Sequence, residues 1–266
     1  MSGDPTAIPN GGACAWLLPA DARCASQARS ALRSVLGFLG FTRPVIDDGV
    51  LAVSELATNA HQHARGDLAS GPHIAPELWL WARTHPHPCL AVTVFDGRRG
   101  SAPEETQADL LDERGKGIAL MAAVSASWGS HPSRSRLAGW PARGKAVWFT
   151  LPMPHPMPGP GQGANPAYIA EQLHSLLTHR GIDGVIRKSE RGVSLVSVPC
   201  GLNIRVEPHA LALNDFDGTS MRRQPLDLHD LAEFVVQRTE EAFSREHAYL
   251  PGTRELKPNG SRRSVG

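Results

Sequence analysis

Apolar positions change their spacing along this chain, and each change predicts an element. Ala25, Ala28, Leu32, Val35, Leu36 and Leu39 recur at three- and four-residue intervals and end at Gly40, the pattern of a helix with a stop. Thr42 or Pro44 opens a second helix, striped by Ile46, Val50, Val53, Ala57, Ala60 and Ala64. The period then shortens. Glu77-Leu-Trp-Leu-Trp-Ala-Arg83 and Leu90-Ala-Val-Thr-Val-Phe95 are rich in aromatic and β-branched residues and read as strands, with a turn at Thr84-His-Pro-His-Pro88. Residues 97–114 are polar and loop-like, Gly117 to Ser127 is apolar enough for a further buried helix, and Ala146 to Leu151 makes a closing strand. This order predicts an α/β two-layer sandwich with one helical layer over residues 15–152, after a disordered lead-in at 1–14.

Prolines at 152, 154, 156, 158 and 160, with glycines at 159, 161 and 163, cannot sustain a helix or a central strand. They predict a linker at 153–165. Beyond it, Pro166 to His179 reads as a helix, followed by short strands at Val185–Arg187, Val193–Val198, Leu202–Val206 and Ala210–Leu213. Leu226 to Tyr249 is a long amphipathic helix carrying Leu228, Leu231, Phe234, Val235 and Phe243. The expectation is a second, smaller α+β domain at 166–250 and a flexible tail at 251–266.

Composition narrows the functional classes. Lys and Arg number 27 against 26 Asp and Glu, so a net charge of +1 gives no electrostatic footprint for nucleic acid or an anionic membrane. No apolar run approaches a membrane span, and no basic segment leads an apolar one as in a signal peptide. Cys14, Cys24, Cys89 and Cys200 form no CxxC pair, which argues against a zinc site or a disulfide framework. The expected location is the cytoplasm.

The chemistry is concentrated in Ser54-Glu-Leu-Ala-Thr-Asn-Ala-His-Gln-His-Ala64. Glu55 and Asn59 are four apart on the second helix, so they share a face about one turn apart. A glutamate there can take a proton or position a nucleophile, and an asparagine offers a neutral oxygen to a hard cation such as Mg²⁺. An ordinary wet helix face has the same appearance. Three other patterns are set aside. Gly139 to Ala146 approaches a Walker loop but has Ala146 where a hydroxyl is required and runs into a strand. His61, His63, His73, His85 and His87 crowd one region, yet the i, i+2 pair on the helix points apart and His85 and His87 flank a proline in a turn, so they are not read as a metal site. The basic residues of the tail read as a solvated end.

The same segment, Glu55-Leu-x-x-Asn59-Ala-x-x-His63-Ala64, resembles the asparagine box of the GHKL (Bergerat-fold) ATPases and kinases. The rest of that family's pattern follows in order: Asp96-Gly-Arg-Arg-Gly100 after a strand, Arg114-Gly-Lys-Gly-Ile-Ala-Leu-Met121, Trp128-Gly129, and Gly144-Lys-Ala-Val-Trp-Phe-Thr-Leu-Pro152. The closest likeness is to the anti-sigma-factor serine/threonine kinases. That resemblance implies a Bergerat-type fold, ATP and Mg²⁺ as cofactors, Glu55 as catalytic residue and Asn59 as metal ligand. It assigns Asp96 to the adenine amino group, and Gly100, Gly115, Lys116 and Gly117 to the phosphates. It also implies a STAS-like anti-anti-sigma partner, a sigma factor or both, places the protein in transcription regulation without direct nucleic-acid contact, and leaves a homodimer open. Two positions depart from the pattern: Arg98 stands where the family has a glycine, and Ala146-Val147 replaces Gly-Thr. Two other functions stay open beside the kinase: a non-catalytic, nucleotide-dependent interaction regulator, and an ATP hydrolase. The second half resembles no family that we recognise.

Overall fold

The computed structural model describes residues 3–65, 74–97, 125–157, 164–215 and 220–249. Its first sheet has five strands in the order β1-β2-β3-β5-β4, every neighbouring pair antiparallel. These are β1 (Ala13–Leu17), β2 (Glu77–Arg83), β3 (Cys89–Asp96), β4 (Ser127–Arg134) and β5 (Arg143–Pro152). Helices α1 (Arg23–Phe38) and α2 (Arg43–Arg65) pack on one face of it. As the spacing predicts, Ala28, Leu32, Val35 and Leu36 of α1 are buried, and Gly40 closes the turn with a φ of 78°, which costs glycine nothing. Val53, Leu56, Ala57 and Ala60 of α2 join them over Leu78, Leu80, Leu90, Val92, Val94, Phe149 and Leu151 of the sheet. The predicted α/β sandwich is present.

Two expectations need correction. Residues 1–14 are not a disordered lead-in where they are described: Pro5–Asn10 form a 3₁₀ helix capped by Asp4, Ile8 is fully buried, and Ala13 begins β1. Strand β4 lies in a stretch with no strand pattern, and Ser127, the expected end of a helix, starts it. Gly129 and Pro132 disfavour a strand interior, but β4 is the outermost strand, where proline is tolerated. The proposed helix from Gly117 falls largely outside the described residues, as do residues 158–163 of the linker and the tail from 251.

The second half forms another antiparallel meander, β10-β9-β8-β7-β6. Helix α3 (Pro166–His179) precedes β6 (Ile186–Glu190), β7 (Val193–Ser197), β8 (Asn203–Glu207), β9 (Ala210–Asn214) and β10 (Ser220–Arg223), and α4 (Leu228–Tyr249) follows them. Val196, Ile204, Val206, Leu211 and Leu213 form its core with Leu173 and Leu177 of α3 and Leu231 and Val235 of α4. The short β10 has no apolar alternation in sequence and was not anticipated.

Helix α4 also covers the face of the first sheet that α1 and α2 leave open. That is why β2 and β3 are buried on both sides almost throughout.

Candidate functional site

Strand alternation assigns each side chain of β3 to a face. Leu90, Val92 and Val94 pack into the core under the helices, and Asp96, the last residue of the strand, continues that row at 3 % exposure. In β5, Phe149 and Leu151 face the same way, which places Val147 and Lys145 on that side as well. Asp96 and Lys145 are cross-strand partners, and their charges lie 3.6 Å apart. The approach depends on Gly144. A Cβ there would fall 2.1 Å from the Asp96 carbonyl oxygen and 2.8 Å from the Gly97 Cα.

Helix α2 presents Glu55 and Asn59 half-buried above the same face. Among the described residues neither side chain has a hydrogen-bond or ion-pair partner, whereas their neighbours are tied down. Ser54 accepts from Arg29 of α1 at 2.7 Å, and the Thr58 hydroxyl donates to the Ser54 carbonyl at 2.8 Å. Gly49 lets α2 settle onto Leu151 and Leu36, where a Cβ would sit 3.1 Å from the Leu151 side chain. The helix is held firmly by one side, and its Glu–Asn pair is left available on the other.

Residues 18–136 match the family described as the histidine kinase-like ATPase domain. This part of the chain belongs to that family. The match ends at Arg136, and β5 lies beyond it yet sits between β3 and β4, completing the ATPase domain's sheet. Membership supports ATP binding and a regulatory ATPase or kinase role. No curated protein matches the chain. No helix among the described residues is long and apolar enough to cross a membrane.

Of the residues singled out in the sequence, Glu55, Asn59 and Asp96 are placed on the helix-side face of the ATPase domain. Gly100, Gly115, Lys116 and Gly117 lie outside the described residues, and so does Arg98. The donor set present fits a magnesium nucleotide: an amide oxygen and a carboxylate one turn apart are hard oxygen ligands. No group of three His, Cys, Asp or Glu side chains that could hold a metal ion occurs among the described residues.

Lys145 is a component the sequence did not mark. It sat inside the rejected Walker-like run, and only the β3–β5 register shows that it meets Asp96.

The opposite face was missed more completely. Trp79, Trp81 and Phe95 line it, with Trp79 stacked on Phe95 at 5.2 Å and the Arg136 guanidinium over both tryptophans at 4.8 and 4.6 Å. Glu233 of α4 enters there and is met by Arg136 at 3.0 Å, by His131 at 3.1 Å, by Ser133 and by Arg180. Glu240, two turns on, pairs with Arg134 at 2.6 Å and Arg143 at 3.4 Å. At the near end Arg83 binds Asp230 at 2.7 Å, and the Thr84 amide and hydroxyl donate to Asp227. Burial opposes ionisation of Glu233, but Arg180, the His131 hydrogen bond and Arg136 outweigh it and hold its carboxyl well below the usual range. Burial, reinforced by Arg136 and Arg180, pushes His229 down to about 3. One signal in the sequence pointed here: acidic residues recur at 227, just before α4, and at 230, 233 and 240 within it, near-helical spacing on one face.

Proposed function

We propose that the ATPase domain transfers phosphate from Mg·ATP to a serine or threonine of a partner protein, in the manner of the anti-sigma-factor kinases. The observation that carries this reading is the half-buried Glu55–Asn59 pair, without a partner among the described residues, on the face shared with Asp96. Asp96 accepts a hydrogen bond from the adenine amino group. Asn59 holds the metal, which when bound supplies positive charge to the phosphates. Glu55 orients the attacking hydroxyl and takes its proton, and its exposure on the helix leaves it reachable by an incoming side chain. Gly100, Gly115, Lys116 and Gly117 are the proposed phosphate contacts.

The partner proposed is a STAS-like anti-anti-sigma protein or a sigma factor, with the protein acting in the cytoplasm on transcription through that partner. The test is transfer of labelled γ-phosphate to a serine-bearing STAS domain. Wild type should label it, and Glu55→Gln should transfer about 10²- to 10⁴-fold more slowly while still binding nucleotide. Equal transfer by both proteins would remove Glu55 from the mechanism. Phosphate release without labelling would favour the hydrolase reading, and binding with neither would favour a non-catalytic regulator.

A further inference from the structure

We propose that Lys145 makes the base pocket of the ATPase domain accept guanine as well as adenine, so that GTP is a second ligand of the same site. This rests on the reading of Asp96 as the residue that meets the base. The geometry of the pair comes first. Lys145 reaches Asp96 because Gly144 allows β5 to press against the end of β3, and the two side chains are only 15 % and 4 % exposed. At 3.6 Å they attract one another without a direct hydrogen bond. The ammonium therefore keeps protons to give, and a carboxylate has two oxygens with which to accept.

The chemistry of the base edges does the rest. Adenine offers an amino group beside a ring nitrogen that accepts. Guanine has a carbonyl where adenine has the amino group, with a ring N–H and a second amino group beside it. A carboxylate alone takes the adenine amino group and faces the guanine carbonyl as one acceptor against another, which is how such a site rejects guanine. A carboxylate and an ammonium side by side satisfy both edges. With adenine, Asp96 accepts from the amino group and Lys145 donates to the imidazole-ring nitrogen N7 on the far side of it, so that the order of the two side chains along the base edge is the same as with guanine. With guanine, Lys145 donates to the carbonyl and Asp96 accepts from the ring N–H. Val147, two residues along on the same face, offers no hydroxyl to fix the base in one register.

The experiment is calorimetric titration of the full chain with Mg·ATP and Mg·GTP, for wild type, Lys145→Met and Lys145→Arg, with circular dichroism to check each fold. In wild type the two dissociation constants should agree within about tenfold. Lys145→Met should raise the GTP-to-ATP ratio roughly ten- to a hundredfold, the size of one charged hydrogen bond. Lys145→Arg keeps the donors and should stay near the wild-type ratio. Rejection of GTP by more than about a hundredfold in wild type, or an unchanged ratio in Lys145→Met, overturns the inference alone. Absence of binding by either nucleotide overturns the base-site reading of Asp96 together with it.

Discussion

The two faces of the first sheet both hold buried charge, and they treat it in opposite ways. On the helix side, Asp96 and Lys145 stand 3.6 Å apart, and Glu55 and Asn59 are without partners among the described residues. On the far side, the Glu233 carboxylate collects two arginines, a histidine and a serine, and Glu240 collects two more arginines. A half-buried polar pair without protein partners is costly, and a fold keeps one where it has a use for it. A saturated cluster specifies how two surfaces meet. On the proposed reading the first face receives the nucleotide, whereas the second joins two halves of one chain.

Substitutions test that contrast directly. The largest effect is expected at Glu233: Glu233→Ala leaves Arg136 and Arg180 buried without their main counter-ion and should cost about 3–5 kcal/mol in denaturant unfolding. A loss below 1 kcal/mol would show the far face to be an ordinary polar surface. Next comes Asp96→Asn, for which calorimetry should show nucleotide affinity falling about tenfold to a hundredfold. Stability loss with unchanged affinity would move Asp96 from the ligand face to the structural one.

Acid comes third. Below pH 6.5 the unfolded chain protonates a histidine at position 229 that the fold keeps neutral down to about 3, and below about 4.5 it protonates a glutamate at 233 that the fold keeps ionised. Both make the unfolded state bind more protons, so the melting temperature should fall as pH drops from 6.5 and more steeply below 4.5. His229→Leu should flatten the upper limb alone. The smallest effect belongs to the rim. Thr84→Val removes one hydroxyl from Asp227 but leaves the amide bond to it, for about 1 kcal/mol.

How much of this was legible in the sequence varied with the kind of signal. Helices α1 and α2 are long and periodic, so their faces, and with them Glu55 and Asn59, were readable. Strand β1 escaped because Ala13-Cys-Ala-Trp-Leu17 is short, built mostly of small residues, and follows two glycines. Strand β4 escaped because serines, Gly129 and Pro132 look like a loop, and pairing with β5 overrides that local preference. The run Glu77-Leu-Trp-Leu-Trp-Ala-Arg83 did carry a warning: it is apolar at both odd and even positions, the pattern of a strand covered on two sides. One helical layer is too few for such a strand. The acidic residues of α4 gave no such warning, because spacing gives a face but does not say what lies against it.

One consequence concerns how this protein can be handled and cut. The chain lays its own C-terminal helix across Trp79, Trp81, Phe95 and the guanidinium of Arg136. A fragment ending at the proline run would bring that aromatic surface into water with a strongly basic rim, free to stick to other copies. The ATPase domain cut from its second half should therefore sediment as aggregates while the whole chain does not. The C-terminal half is in this sense a built-in cover, and no second protomer can occupy that wall of the sheet while the cover is in place.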